Sequence, residues 1–108
     1  YYDNGGNGSG GNVGNGLGNR IVLYSPKPDY SICNSKYATG KIVVQIEVDK
    51  NGQVTKATAG IKGATGVDEC LLRQAEKAAL LRKYNKDLNA PLKQTGNILY
   101  VFDFSKGN

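Results

Sequence analysis

The amino-acid sequence predicts an α+β domain, in which a three-stranded antiparallel sheet carries one long helix packed on one face. Three observations predict this class. Residues 40–61 alternate apolar and polar side chains around a turn, residues 67–84 show a helical pattern, and residues 97–104 alternate again. The expected order is a β-hairpin, a long helix and a final edge strand, with an extra short N-terminal strand at residues 20–24.

The hairpin is the clearest element of the sequence. Its first strand places four branched apolar side chains on one face: Ile42, Val44, Ile46 and Val48. The turn that follows reads DKNG, in which Asp49 can accept backbone hydrogen bonds and Gly52 can adopt a positive φ. We therefore predict a type I turn closed by a glycine bulge.

The second hairpin strand is predicted at residues 54–61 and is irregular. Val54 is out of phase with Ala57 and Ala59, so one extra residue must be accommodated between them. We predict a β-bulge near Thr55 and Lys56.

The helix is predicted over residues 67–84, which contain no Gly or Pro. Thr65 is the expected N-cap, with Asp68 three residues later. Its apolar stripe is formed by Leu71, Ala75 and Ala78, flanked by Leu72 and Ala79. The small alanines predict close packing of the helix against the sheet.

The last strand is predicted over residues 97–104, with Ile98, Tyr100, Phe102 and Phe104 facing the core. If this strand pairs with residues 41–49, every neighbour in the sheet is antiparallel. Residues 97–104 then lie at an edge, unless residues 20–24 cover them. Residues 1–18 are rich in Gly and Asn and are predicted to be a flexible leader or linker, so the folded domain is expected at 19–105.

Composition argues against catalysis. The chain has 108 residues, a formal net charge of +5 and no histidine, the commonest general base and metal ligand. Its acidic candidates are explained as turn, surface and cap residues, namely Glu47, Asp49, Asp68 and Glu69. We expect no enzyme activity, no catalytic residue, no metal site and no cofactor.

Cys33 and Cys70 are the only cysteines. They are either two small, partly buried side chains or a disulfide, which would stabilise the fold by about 3–4 kcal/mol. The sequence leaves both interpretations open.

The positive charge gives a second functional hypothesis. A basic, non-enzymatic binding module could contact cell-wall glycan or nucleic acid through Lys50, Lys56, Lys62 and Lys77. No tight Lys/Arg cluster with interleaved aromatic residues is present, so a nucleic-acid partner is not expected.

The sequence also resembles a known family. The segments GKIVVQIEVDKNGQVTKATAGIKG, VDECLLRQAEKAALLRKYN and AP…QTGNILYVFDF look like the C-terminal domain of the TonB energy transducers. Two further matches precede the hairpin, Gly18-Asn19-Arg20 and Pro26-Lys27-Pro28-Asp29-Tyr30. The leader differs from the family, because it is Gly/Asn-rich rather than a Pro/Lys-rich spacer.

The resemblance implies a periplasmic domain of a protein anchored in the inner membrane of a Gram-negative bacterium. Such a domain binds the plug segment of outer-membrane TonB-dependent receptors by β-strand addition and transmits energy from the proton gradient for substrate import. A preceding membrane helix would contact the inner-membrane proton-channel complex, and self-pairing through the same edge would give a homodimer.

Carried onto this chain, the receptor-pairing strand matches Asn97, Ile98, Leu99, Tyr100, Val101, Phe102, Asp103 and Phe104. The region near the receptor contact matches Pro26, Pro28 and Tyr30.

Overall fold

The computed structural model describes residues 2–3, 17, 20–60 and 62–104. Within them, the strands are β1 (Tyr2–Asp3), β2 (Val22–Tyr24), β3 (Thr39–Val48), β4 (Val54–Ala59), β5 (Lys83–Tyr84) and β6 (Gln94–Asp103). The helices are a short 3₁₀ helix at Tyr30–Ile32 and α1 at Glu69–Leu81.

The chain folds as an α+β domain around an antiparallel sheet, as the sequence predicted. The strand order of the main sheet is β1-β6-β3-β4. β3 is central and pairs with β6 over their full lengths, from Thr39 opposite Asp103 to Val48 opposite Gln94. β2 and β5 form a separate two-stranded sheet.

The hairpin turn follows the chemistry of its sequence. The Asp49 carboxylate accepts the N–H groups of Asn51 (2.9 Å) and Gln53 (3.0 Å), and Gly52 has φ 88°. The pairing with β3 skips Thr55, because Lys56 lies opposite Glu47 and Val54 opposite Val48. The predicted bulge is confirmed. β4 ends at Ala59, where Gly60 takes φ 86°, and residue 61 of the predicted strand lies outside the described residues.

The helix is shorter than predicted, and its predicted N-cap was wrong. Asp68 is the N-cap and accepts the Leu71 N–H (3.1 Å), whereas the backbone of Thr65 pairs with Lys41 at the end of the sheet. At the other end Arg82 is extended, so that the two residues after it form β5 against β2. A tertiary strand pairing therefore overrides the local helical pattern.

The core lies between α1 and one face of the sheet. It contains the predicted inward residues of β3 and the predicted stripe of α1, with Ile98, Tyr100 and Phe102 of β6, and also Leu17, Tyr30, Val54 and Tyr84. The prediction for Phe104 was wrong: β6 begins at Gln94 and ends at Asp103, so Phe104 lies past the strand and is exposed. Leu17 belongs to the segment predicted as a leader, yet it is fully buried. Apart from Leu17 and β1, residues 1–18 lie outside the described residues.

Arg20 anchors the N-terminal part of the chain to the hairpin. Its side chain is buried, and it donates to the carbonyl oxygens of Asn85 (2.9 Å) and Asp49 (2.7 Å). The predicted strand at residues 20–24 is present as β2, but it pairs with β5 and not with the edge of β6.

Candidate functional site

Among the three longer strands, whose order is β6-β3-β4, β6 lies on the side opposite β4. The directions of its backbone hydrogen bonds follow from the ladder. Lys41 of β3 exchanges both backbone hydrogen bonds with Thr65 (2.9 and 2.8 Å), which lies on the β4 side. Because an antiparallel strand alternates the side to which it bonds, the even-numbered residues of β3 bond to β6. Their even-numbered partners in β6 bond back to β3.

The other residues of β6 therefore direct their N–H and C=O groups to the outer edge of the sheet. These residues are Thr95, Asn97, Leu99, Val101 and Asp103. Among the described residues, one strand lies on this side: β1 places Tyr2 opposite Val101 and Asp3 opposite Tyr100. The predicted edge is thus contacted by the chain's own N-terminal segment, over a short stretch.

The side chains of β6 divide cleanly between the two faces. Ile98, Tyr100 and Phe102 are fully buried against the core. On the opposite face, Leu99 and Val101 are half-buried, and Leu99 lies opposite the half-buried Val43. This strip of apolar side chains borders the outer edge of β6.

Three aromatic rings meet at the C-terminal end of β6. The ring of Tyr30 lies 5.4 Å from that of Phe102 and 6.3 Å, edge-on, from that of Phe104. Tyr30 is buried, whereas Phe104, just past the strand, is 41% exposed. The structure therefore brings together Tyr30 and the end of the predicted receptor-pairing strand.

The two prolines of the predicted contact region lie elsewhere. Pro28 is buried and lines a cleft of about 190 Å³ beside α1, together with Lys77 and Leu81. Pro26, two residues earlier, is half-buried. Pro28 thus lies beside α1, whereas Tyr30, the last residue of the segment, packs against Phe102 of β6.

A disulfide joins Cys33 to Cys70, with their Cα atoms 5.7 Å apart. It ties the segment after the 3₁₀ helix to the first turn of α1. That segment and Phe104 line a cleft of about 450 Å³, which also includes Tyr30 and Tyr37. Sequence reasoning missed this cleft, because the loop before β3 has no periodic pattern.

Charged side chains line both clefts: Lys36 lines the larger one, and Asp29 is among those that line the smaller one. The Lys36 ammonium lies 5.4 Å from the ring centre of Tyr37, a cation–π contact. Asp29 caps the 3₁₀ helix, and hydrogen bonds from the Ser31 hydroxyl and backbone N–H lower the pKa of its carboxyl below the ordinary 3.8.

The acidic residues that were weighed as catalytic candidates have structural partners. Asp49 holds the hairpin turn and Asp68 caps α1. Glu69 forms an ion pair with Arg73 on the exposed face of α1, and Glu47 lies 4.0 Å from the Lys93 ammonium. In the part of the chain that the structure describes, no three acidic or cysteine side chains gather as a metal site.

Two further findings concern membrane-spanning helices and similarity to known proteins. No helix among the described residues is long and apolar enough to cross a membrane. No protein-family model, curated protein or solved structure matches the chain.

Proposed function

We propose that this chain is the receptor-binding domain of a TonB-type energy transducer. It binds the plug segment of an outer-membrane receptor by adding it as a strand to the outer edge of β6. Anchoring in the inner membrane through a preceding helix and a periplasmic location are part of the same proposal. The family resemblance of residues 17–104 supports the receptor partner and the role in energy transduction. The arrangement of the sheet supports binding by strand addition.

One observation carries the proposal: β6 is a ten-residue strand next to the edge of the sheet, and the described strand beyond it, β1, has two residues. Its ten residues pair with β3 on one side. On the other side, two residues of β1 are its described strand partner. Natural proteins normally protect such an edge, because its backbone groups can recruit another strand.

The side chains beside this edge suit an added strand. A partner residue opposite Leu99 or Val101 would share their face of the sheet and pack on their half-buried side chains. Each new main-chain hydrogen bond contributes about 0.5–1.5 kcal/mol net. Several of them, together with this apolar contact, would hold a short segment without requiring a deep pocket.

The alternative, a basic module for glycan or nucleic acid, has weaker support. The four lysines considered for it lie on different elements: Lys50 in the turn, Lys56 on β4, Lys62 in a loop and Lys77 on α1. Binding through them would fall steeply with added salt, because it releases counterions. Binding by main-chain strand addition would depend much less on the salt concentration.

The test is an amide NMR titration with short overlapping peptides from the plug segments of receptors of the same cell. We expect saturable shifts at Leu99, Val101 and their neighbours. Val101→Pro should weaken binding at least about tenfold, because the proline removes an outward N–H from the edge.

The matched control is Ala57→Pro on β4. Ala57 lies opposite Ile46, so its N–H points to the outer side of the opposite edge. Both variants lose one edge donor, and circular dichroism would verify that both fold. Equal weakening by the two prolines, or shifts confined to the lysine-bearing elements, would contradict the proposal.

A further inference from the structure

The residues that the proposed site uses are already contacted by the N-terminal segment of the chain. β1 is antiparallel to β6, with Tyr2 opposite Val101. Since Val101 directs its N–H and C=O to this side, Tyr2 and Val101 form the hydrogen-bonded pair of this ladder. A second strand cannot use the same backbone groups at the same time.

We propose that β1 is an intramolecular strand that covers the edge of β6, and that a partner segment must displace it to bind. This inference rests on the proposed function, because it concerns the regulation of the same edge. β1 contacts the half of β6 that ends at Asp103, so a segment pairing along all of β6 would meet it.

The covalent connection allows the chain to cover its own edge. Leu17 accepts the Arg20 N–H (3.1 Å), and Arg20 binds Asp49 at the turn end of the sheet. Val101 lies roughly 23 Å along β6 from the Gln94 end, where the turn is. Residues 4–16 can span at most about 45 Å. The connection is therefore long enough for one chain to contribute both Leu17, near the turn end of the sheet, and β1, beside Val101.

A two-residue strand is a weak competitor, which is what a displaceable cover requires. Because β1 and β6 belong to one chain, the effective concentration of the cover does not depend on protein concentration. A cover formed in half to nine-tenths of the molecules would lower the apparent affinity for a partner about twofold to tenfold. The cover therefore tunes binding rather than preventing it.

The alternation of the ladder provides a matched pair of variants in the full chain. The Tyr2 N–H points to β6, so Tyr2→Pro removes a hydrogen bond of the cover. The Asp3 N–H points away from β6, so Asp3→Pro adds the same ring without removing that bond. Both substitutions lie at positions 2 and 3, outside the buried anchor formed by Leu17 and Arg20.

Two readouts are compared in these variants: hydrogen exchange of the Val101 amide, and affinity for the tightest plug peptide of the titration above. Tyr2→Pro should accelerate exchange at Val101 and tighten peptide binding about twofold to tenfold. Asp3→Pro should leave both close to the parent values. Exchange at Val44 and Ile46, in the centre of the sheet, should be the same in all three proteins.

The outcomes separate this inference from the proposed function. Unchanged exchange at Val101 in Tyr2→Pro would overturn the cover. Faster exchange with unchanged peptide affinity would overturn the competition but leave the binding function standing. Protection of Val101 that rises with protein concentration would assign the covering strand to a second copy and overturn the intramolecular form. Peptide binding by none of the proteins would overturn the proposed function, and with it the competition, while exchange would still show whether β1 covers β6.

Discussion

At one edge of the main sheet lies β4, with six residues, whereas at the other the two-residue β1 lies beside the ten-residue β6. β4 carries a bulge at Thr55 and an exposed Lys56, and its Ala59 N–H donates to the Glu76 carboxylate on α1 (2.8 Å). These devices discourage pairing with another chain. The edge of β6 is met instead by β1, a separate and short piece of the chain.

The difference shows that the two sides of one sheet are protected in different ways, one by features of the strand and its helix and the other by a separate segment of the chain. The bulge and the side-chain cap belong to β4 and to the helix that packs on it, so the protection of this edge changes by substitution and not by the departure of a separate segment. A two-residue strand can leave β6 while the core between α1 and the sheet stays intact. The two edges can therefore be tested separately, by changing what protects each of them.

The largest effect should come from the covalent link near the C-terminal end of β6. Replacing both Cys33 and Cys70 by Ser should lower the free energy of unfolding by about 3–4 kcal/mol, because the open chain regains conformational entropy. Chemical denaturation measures it. The parent protein in reducing agent should match the double variant, and a loss below about 1 kcal/mol would show that the disulfide matters little for stability.

The next effect concerns the anchor of the segment that supplies β1. Arg20→Ala should cost about 2–3 kcal/mol, because the partly buried carbonyl groups of Asp49 and Asn85 lose a charged donor. Arg73→Ala is the control, since its ion pairs with Glu69 and Glu76 lie on the exposed face of α1 and it should cost at most about 1 kcal/mol. Equal losses in thermal unfolding would contradict the anchoring role of Arg20.

A smaller effect is expected at the protected edge. Glu76→Ala should lower stability by about 1–2 kcal/mol and accelerate exchange of the Ala59 amide, because that N–H loses its acceptor. Glu69→Ala removes a carboxylate from the same helix without touching β4, and it should leave Ala59 unchanged. If Glu76→Ala does not affect Ala59, the edge of β4 is protected by other means.

The smallest effect is a pH dependence at the 3₁₀ helix. Because the folded pKa of Asp29 is lowered, its contribution to stability is present above the ordinary pKa of 3.8 and is lost as the pH falls through the lower folded value. Ser31→Ala removes the hydroxyl donor and should move the pKa of Asp29 back toward 3.8. NMR titration of the carboxyl carbon measures this, and an unchanged pKa would assign the shift to another donor.

Local patterns predicted much of the fold because they depend on residues close in sequence. The alternation in β3, the turn at Asp49 and the bulge at Thr55 were all predictable from neighbours a few positions apart. The limits of the helix were not predictable from neighbours, because Thr65 and Tyr84 form strand pairings with distant parts of the chain and therefore lie outside α1. For the candidate site, the sequence predicted residues 97–104 at an edge unless residues 20–24 covered them. In the structure β1 lies outside β6, and residues 22–24 pair with β5 instead.

At Gly52 the sequence determines the local turn but not the tertiary contact. The DKNG sequence determined a turn with a positive φ, because glycine alone adopts it without steric cost. Only the tertiary structure placed the Tyr84 backbone so close that a Cβ at position 52 would collide with its carbonyl oxygen. Likewise the sequence determined two cysteines, a basic arginine and a Gly/Asn-rich leader. The packing of distant segments decided the disulfide, the buried anchor at Arg20 and the partner of β6, because these depend on which surfaces meet once the chain has folded.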